Sequence, residues 1–212
     1  MSPVAHPPPP YRLETERLVI RCWDPLDAPL LKDALDTSLD HLRPWMPWAA
    51  DEPQTLDEKV ALLRRFRGSF DLGDDFVYGI FSRDEREVVG GTGLHTRVGD
   101  GALEIGYWIR ASRVGHGYAG EAAAALTRIA VRVCRVDRVE IRVDPANEKS
   151  LAIPRRLGFT EEATLRRRLP SRSGDAARDV VVFTLFADGL EASPVVGQQV
   201  AAYDALGRAV PV

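Results

Sequence analysis

Glu104-Ile105-Gly106-Tyr107-Trp108-Ile109-Arg110-Ala111-Ser112-Arg113-Val114-Gly115-His116-Gly117-Tyr118-Ala119-Gly120-Glu121 changes its periodicity part-way along, and that change decides the fold. Leu103, Ile105, Tyr107 and Ile109 alternate with other side chains, the pattern of a strand with one buried face. From Glu121 to Val133 the period lengthens, and Leu126, Ile129, Ala130 and Val133 fall on one helical face. Gly115, Gly117 and Gly120 lie between, where the missing Cβ lets backbone N–H groups approach a ligand. A helix N-terminus beside such a loop is an anion site, because its first amides lack intrahelical acceptors and the helix dipole is positive there.

The kind of phosphate is narrowed by what is missing. No Lys followed by Ser or Thr succeeds the glycines, so the loop is no Walker A motif. Gly115, Gly117 and Gly120 do satisfy G-x-G-x-x-G, but a dinucleotide domain places that loop after its first strand, and here it lies mid-chain. On the N-terminal side, Phe76 to Phe81 and Val88 to Leu94 read as a hairpin across Arg83-Asp84-Glu85-Arg86, with the organising strand third in a meander. Further upstream, Leu18 to Trp23 reads as a strand and Asp27 as the cap of a helix carrying Leu30, Leu31, Ala34 and Leu35. Thr55 and Glu58 have capping-box spacing for a helix that ends at Gly73. On the C-terminal side, Val139, Ile141 and Val143 alternate as a strand and a short helix spans Asn147 to Leu157, which Pro154 should bend or shorten. A last hairpin joins Ala163 to Leu169 and Asp179 to Phe186 around Ser171 to Gly174. Met1 to Pro10, with five prolines, reads as a disordered or polyproline lead-in.

The run Asn147-Glu148-Lys149-Ser150 followed by Leu157-Gly158-Phe159 brings the chain to resemble the GNAT superfamily of acyl-CoA-dependent N-acyltransferases. In the superfamily's cofactor motif, Q/R-x-x-G-x-G/A, Gly117 and Ala119 fill the last two fixed positions and Val114 stands where Gln or Arg is usual. Leu42-Arg43-Pro44-Trp45-Met46-Pro47-Trp48 adds a likeness to the RimJ/RimL-type branch, whose best-known members acetylate the N-termini of ribosomal proteins. The resemblance spans residues 11–190 and implies a three-layer α+β fold, with a mixed, mostly antiparallel sheet of about six to seven strands and about four helices. One domain over 11–190 and a C-terminal extension over 191–212 are the expected organisation.

Acyl transfer from a thioester needs a neutral amine and a leaving thiolate. Neutralising an α-amine of pKa ~8 at pH 7 costs ~1.4 kcal/mol, against ~4.6 kcal/mol for a lysine of pKa ~10.4, so a base matters more for lysine. Glu104 lies on the strand before the loop and points opposite to Ile105, and the superfamily often uses an acidic residue there as general base. The resemblance also places Asn147 near the pantetheine chain and Ser150 near the sulfur, where a hydroxyl can protonate the thiolate. Pro154 stands where many members carry a tyrosine acid. The backbone from Val114 and Gly115 through His116, Gly117, Tyr118 and Ala119 to Gly120 is the expected phosphate cradle. Arg110, Arg113 and His116 are candidates to add charge, and the superfamily pairs the amides corresponding to Trp108 and Ile109 with pantetheine. Trp45 and Trp48, amid Asp33, Asp36, Asp40, Asp51, Glu52, Asp57, Asp71, Asp74 and Asp75, suit a cationic amine acceptor, with a merely solvated acidic face as the alternative.

With 212 residues, 45% hydrophobic and 28% charged, the chain suffices for one sizeable core. A net charge of −3 argues against a nucleic-acid or membrane-surface binder, although Arg166, Arg167, Arg168 and Arg172 form one basic patch. Cys22 and Cys134 are too few for a disulfide framework and read as buried thiols. Without a signal pattern or a long apolar run, a cytoplasmic location is expected. The cofactor implied is acetyl-CoA without a metal, and the acceptor is a protein N-terminus or a small amine. A non-catalytic acyl-CoA-binding regulatory module is the alternative, and the oligomeric state stays open, a homodimer included.

Overall fold

Alternating apolar residues bring the chain into its sheet through two short antiparallel strands, β1 (Arg12–Glu14) and β2 (Leu18–Cys22). The computed structural model describes residues 7–171 and 176–212; most of the expected proline-rich lead-in, Arg172 and most of the expected turn around it lie outside these. After β2 come α1 (Ala28–Asp36), α2 (Leu39–Leu42) and α3 (Leu56–Leu72). The meander follows as β3 (Phe76–Ser82), β4 (Val88–His95) and β5 (Ala102–Ile109), all antiparallel. Next are α4 (Tyr118–Arg132), β6 (Arg138–Val143), α5 (Glu148–Arg156), β7 (Thr160–Leu169) and β8 (Arg178–Phe186). β9 (Ala201–Tyr203) and β10 (Ala209–Val210) complete the chain.

Among the described residues ten strands form one sheet, in the order β10-β9-β1-β2-β3-β4-β5-β6-β8-β7, against the six to seven expected. The additional strands are β1, β9 and β10, each of two or three residues. β9 pairs antiparallel with β1, Leu13 opposite Ala202, so the stretch expected as an extension over 191–212 is built into the sheet. It is also tied to the helices: Arg128 donates to the carbonyls of Val196 and Gln198, and the Ser193 hydroxyl donates to Leu157 O at 2.6 Å.

Helices cover both faces. Leu126, Ile129 and Ala130 of α4 and Leu151 and Ile153 of α5 share a core with Leu94, Ile105, Val139, Ile141 and Phe183. On the other face Leu31 and Leu35 of α1 and Leu63 of α3 pack on Val19, Phe81 and Val88. Cys22 and Cys134 are buried thiols, as expected. No helix among the described residues is long and apolar enough to cross a membrane.

The local signals at helix ends mostly hold. Thr55 and Glu58 form their capping box, with Thr55 N donating to Glu58 Oε2 at 2.7 Å and Glu58 N to Thr55 Oγ1 at 3.3 Å. Gly73 then ends α3 in the left-handed region. Asp27 does not cap α1 as expected: its carboxylate accepts from Asp24 N and from both Arg21 Nη atoms, and Asp24 caps the preceding 3-10 turn instead. Pro154 does not shorten its helix either, since α5 runs on to Arg156.

Candidate cofactor and acceptor site

The sheet opens at one place. β5 and β6 run parallel and are paired only from Ala102 opposite Arg138 to Glu104 opposite Glu140; beyond that point the two strands part. The Arg110 amide donates to Val89 O at 2.9 Å, beside the β4 edge. Backbone groups alternate sides along a strand, so the amides of Trp108 and Gly106 share that edge, and those of Ile109 and Tyr107 point into the opening. Of the two amides expected to meet pantetheine, Ile109 therefore faces the gap and Trp108 is committed to β4.

The glycine loop stands at one end of the opening. Gly115 and Gly117 have φ of 86° and 82°, a region that costs a residue with a Cβ ~1–2 kcal/mol. Gly117 is the N-cap of α4 without any side-chain cap, and the first intrahelical bond runs from Glu121 N to Gly117 O. The amides of Tyr118, Ala119 and Gly120 thus lead the helix with no acceptor from the ladder, and a Cβ at Gly115 or Gly120 would meet open space. A cleft of ≈ 580 Å³ adjoins them, lined by Arg17, Gly117, Gly120, Ala124, Leu157 and Gln198 among others.

Side chains expected to add charge are engaged elsewhere. Arg110 is buried and turned to α1, donating to Asp33 Oδ2 at 3.0 Å and Thr37 Oγ1 at 3.2 Å, with Glu87 at 3.3 Å. Arg113 grips the same Glu87 at 2.6 Å. His116 folds back on the Arg113 and Val114 carbonyls and stacks on Tyr118. The cation beside the loop is Arg17, which the sequence reading passed over. It reaches His116 O at 2.9 Å, lies over the Tyr118 ring at 4.8 Å, and holds the buried Glu121 at 2.6 Å.

Across the opening, α5 presents Ser150. Asn147 is the N-cap of α5, its Oδ1 accepting from Ser150 N at 3.2 Å. Ser150 Oγ lies 3.0 Å from the Tyr107 hydroxyl, which also donates to Ser150 O at 3.3 Å. Pro154 explains the second bond. A residue with an N–H at 154 would donate to Ser150 O four residues back; proline has none, so that carbonyl is left to Tyr107. Burial pushes the Tyr107 hydroxyl up to about 12, against the lowering effect of its bond to Ser150, so it stays protonated and able to donate.

Glu104 faces the α1/α3 side of the sheet, opposite to Ile105 as expected, and is buried. Its carboxylate is clasped by Arg97, Nε to Oε2 at 3.0 Å and Nη2 to Oε1 at 2.5 Å, with Arg142 at 3.8 Å. On the same face Trp108 covers Gly91, and the exposed Trp48 meets Trp108 edge-on at 6.0 Å. Trp45 is half-buried on the loop leading to Trp48. The acidic residues around these tryptophans are largely paired: Asp33 with Arg110, Asp36 with Lys32, Glu52 with the buried Lys59, Asp71 with Arg67. The blander reading of that cluster, an ordinary charged face, is the one this pairing favours. Arg167, in the basic patch, lies on a β-bulge of β7 with its amide bonded to Asp179. Among the described residues no group of three or more His, Cys, Asp or Glu is placed to hold a metal ion.

The acetyltransferase (GNAT) domain family matches residues 17–160. Ribosomal protein uS5-alanine N-acetyltransferase of Escherichia coli (strain K12) is 31% identical over 160 residues, covering 73% of this chain and 80% of that protein. Among solved structures, Mycobacterium smegmatis RimJ in complex with CoA-disulfide superposes with a TM-score of 0.77 at 25% identity, covering 90% of this chain and 94% of that one. RimL, a ribosomal L7/L12 alpha-N-protein acetyltransferase in complex with coenzyme A, gives 0.72 at 22% identity over 81% and 95%. The match over residues 17–160 and the likeness to the Escherichia coli enzyme show that the chain belongs to the GNAT acetyltransferase family, with relatives of the RimJ/RimL type.

Proposed function

We propose that this chain transfers an acetyl group from acetyl-CoA to a primary amine, a protein N-terminal α-amine of the ribosomal-protein kind or a small amine. The carrying observation is the parting of β5 from β6 after Glu104, which gives a strand-like ligand an unpaired edge between an anion cradle and a carboxylate. The amides from Gly115 to Gly120, with Arg17, would hold the diphosphate; Ile109 and Tyr107 would offer their amides to the pantetheine arm, and Asn147 would border it. The amine then attacks the thioester directly from the face carrying Trp48 and Trp108. Its nitrogen bonds to the acyl carbon, the C–S bond breaks, Glu104 accepts the amine proton directly or through a water, and Ser150 gives its hydroxyl proton to the thiolate. Arg97 holds one lone pair on each Glu104 oxygen and leaves the second free to accept, and at 61% side-chain exposure Arg97 can also swing into solvent. Tyr107 positions Ser150 and is placed to reprotonate it.

Free-thiol release from acetyl-CoA, measured against N-terminal peptides, polyamines and amino sugars, tests this. Turnover with an amine and loss of it in Glu104→Gln are expected. If acetyl-CoA raises the melting temperature while no acceptor yields thiol, the chain is instead an acyl-CoA-binding regulatory module.

A further inference from the structure

His95, at the end of β4, stands directly opposite Glu104 on β5, so the two side chains leave the same face of the sheet. Its Nδ1 lies 2.8 and 3.1 Å from the two oxygens of Asp75, at the junction between α3 and β3. The ring turns back over Gly93 and Gly106. A Cβ at Gly93 would stand 2.8 Å from its Cε1 and Nε2, and one at Gly106 3.2 Å from Nε2. Two glycines are therefore what lets an imidazole lie flat on this floor, between Trp108 on one side and Glu104 on the other. A carboxylate at Nδ1 fixes the proton there, which leaves the lone pair on Nε2. Among the described residues Nε2 has no hydrogen-bond partner, whereas both oxygens of Glu104 already accept from Arg97.

We propose that the Asp75–His95 pair is a second catalytic proton acceptor of the acetyl transfer, acting beside Glu104 on the acceptor face. The inference rests on the acyl-transfer reading above but not on Glu104 being the base. The acceptor arrives as an ammonium and sheds two protons: Glu104 takes one, directly or through a water, and the other, lost as the N–C bond forms and the C–S bond breaks, passes to His95 Nε2. The thiolate takes its proton from Ser150, so charge and protons balance. Asp75 acts only through His95, as a positioning residue. The charged groups that face the imidazole are Asp75, Glu104 from β5 and Arg97 from the β4–β5 loop, with Arg142 of β6 behind Glu104.

The test compares wild type, His95→Gln, Asp75→Asn and Glu104→Gln with acetyl-CoA and a peptide bearing a free N-terminal alanine. His95→Gln should lower kcat roughly 10²-fold, change the shape of the kcat/KM pH profile, and leave the Kd for CoA within twofold. Asp75→Asn should give a smaller loss with the same change of profile. Gly93→Ala, which displaces the ring without removing it, should mimic His95→Gln. Independently of turnover, 15N spectra of histidine-labelled protein should show the neutral ring of His95 protonated at Nδ1 and bare at Nε2. A proton on Nε2 overturns the proposal even if the peptide is no substrate, as does a His95→Gln enzyme with wild-type kcat and pH profile. Absence of turnover in wild type with every amine would count against the acyl-transfer reading itself.

Discussion

Gly117 serves stability and function together, whereas Pro154 trades one for the other. Gly117 holds φ at 82° while leading α4 with bare amides, so Gly117→Ala should cost ~1–2 kcal/mol in urea unfolding and weaken CoA binding in calorimetry. Pro154 forgoes a helical hydrogen bond, and Tyr107 exploits the carbonyl thereby released. Pro154→Ala should therefore raise the melting temperature, since the Ser150 carbonyl regains an intrahelical donor, and lower kcat, since that donor competes with Tyr107. At this scale legibility follows sequence distance. The Thr55 and Glu58 partners are three residues apart and were readable from the letters alone. Arg110 looked like a phosphate ligand because Asp33, which holds it, lies 77 residues away. The pairs Asp75 with His95 and Tyr107 with Ser150, 20 and 43 residues apart, leave no trace in spacing, and neither was anticipated.

Elements were legible wherever a period had room to repeat. β5 shows its alternation and the long α3 and α4 their helical stripe, while β3 and β4 were marked by apolar runs on either side of a polar turn. β1 and β9 have three residues each, too few for any pattern, and exist because each supplies the other with backbone partners. No local pattern sets the parting of β5 from β6; it depends on where β6 lies after α4 has crossed the sheet. The capping box on α3 belongs to this scale too. Thr55→Ala should remove the acceptor for Glu58 N and cost ~1 kcal/mol of stability by chemical denaturation, with kcat unchanged.

Across the whole molecule, charge ties the sheet's N-terminal strands to the β3–β4 turn. Arg12 bonds both Glu14 and Glu85, Arg21 bonds Glu85 and Asp27, and Arg83 reaches Glu14. The bond from Arg12 lowers the Glu14 carboxyl against an opposing effect of burial, and Arg83 lowers it further. For Glu85 burial pushes upward, but Arg21 and Arg12 outweigh it and the net direction is down. Carboxyls lowered in the folded state stabilise it above their unfolded value of ~4.3, and that contribution fades as pH falls through the folded values. Double replacement of Glu14 and Glu85 by Gln should thus lower the melting temperature at pH 7. The gap to wild type should close as thermal scans move below pH ~4.

The pairing of β1 with β9 also has a consequence for how the chain is made. These strands stand at almost opposite ends of the described sequence, and synthesis delivers one long before the other. Until the later strand emerges from the ribosome, the outer flank of β1 offers bare amides and carbonyls to any neighbouring nascent chain. Closure of this sheet edge therefore waits on β9, and the interval before it arrives is when two copies are best placed to exchange that strand.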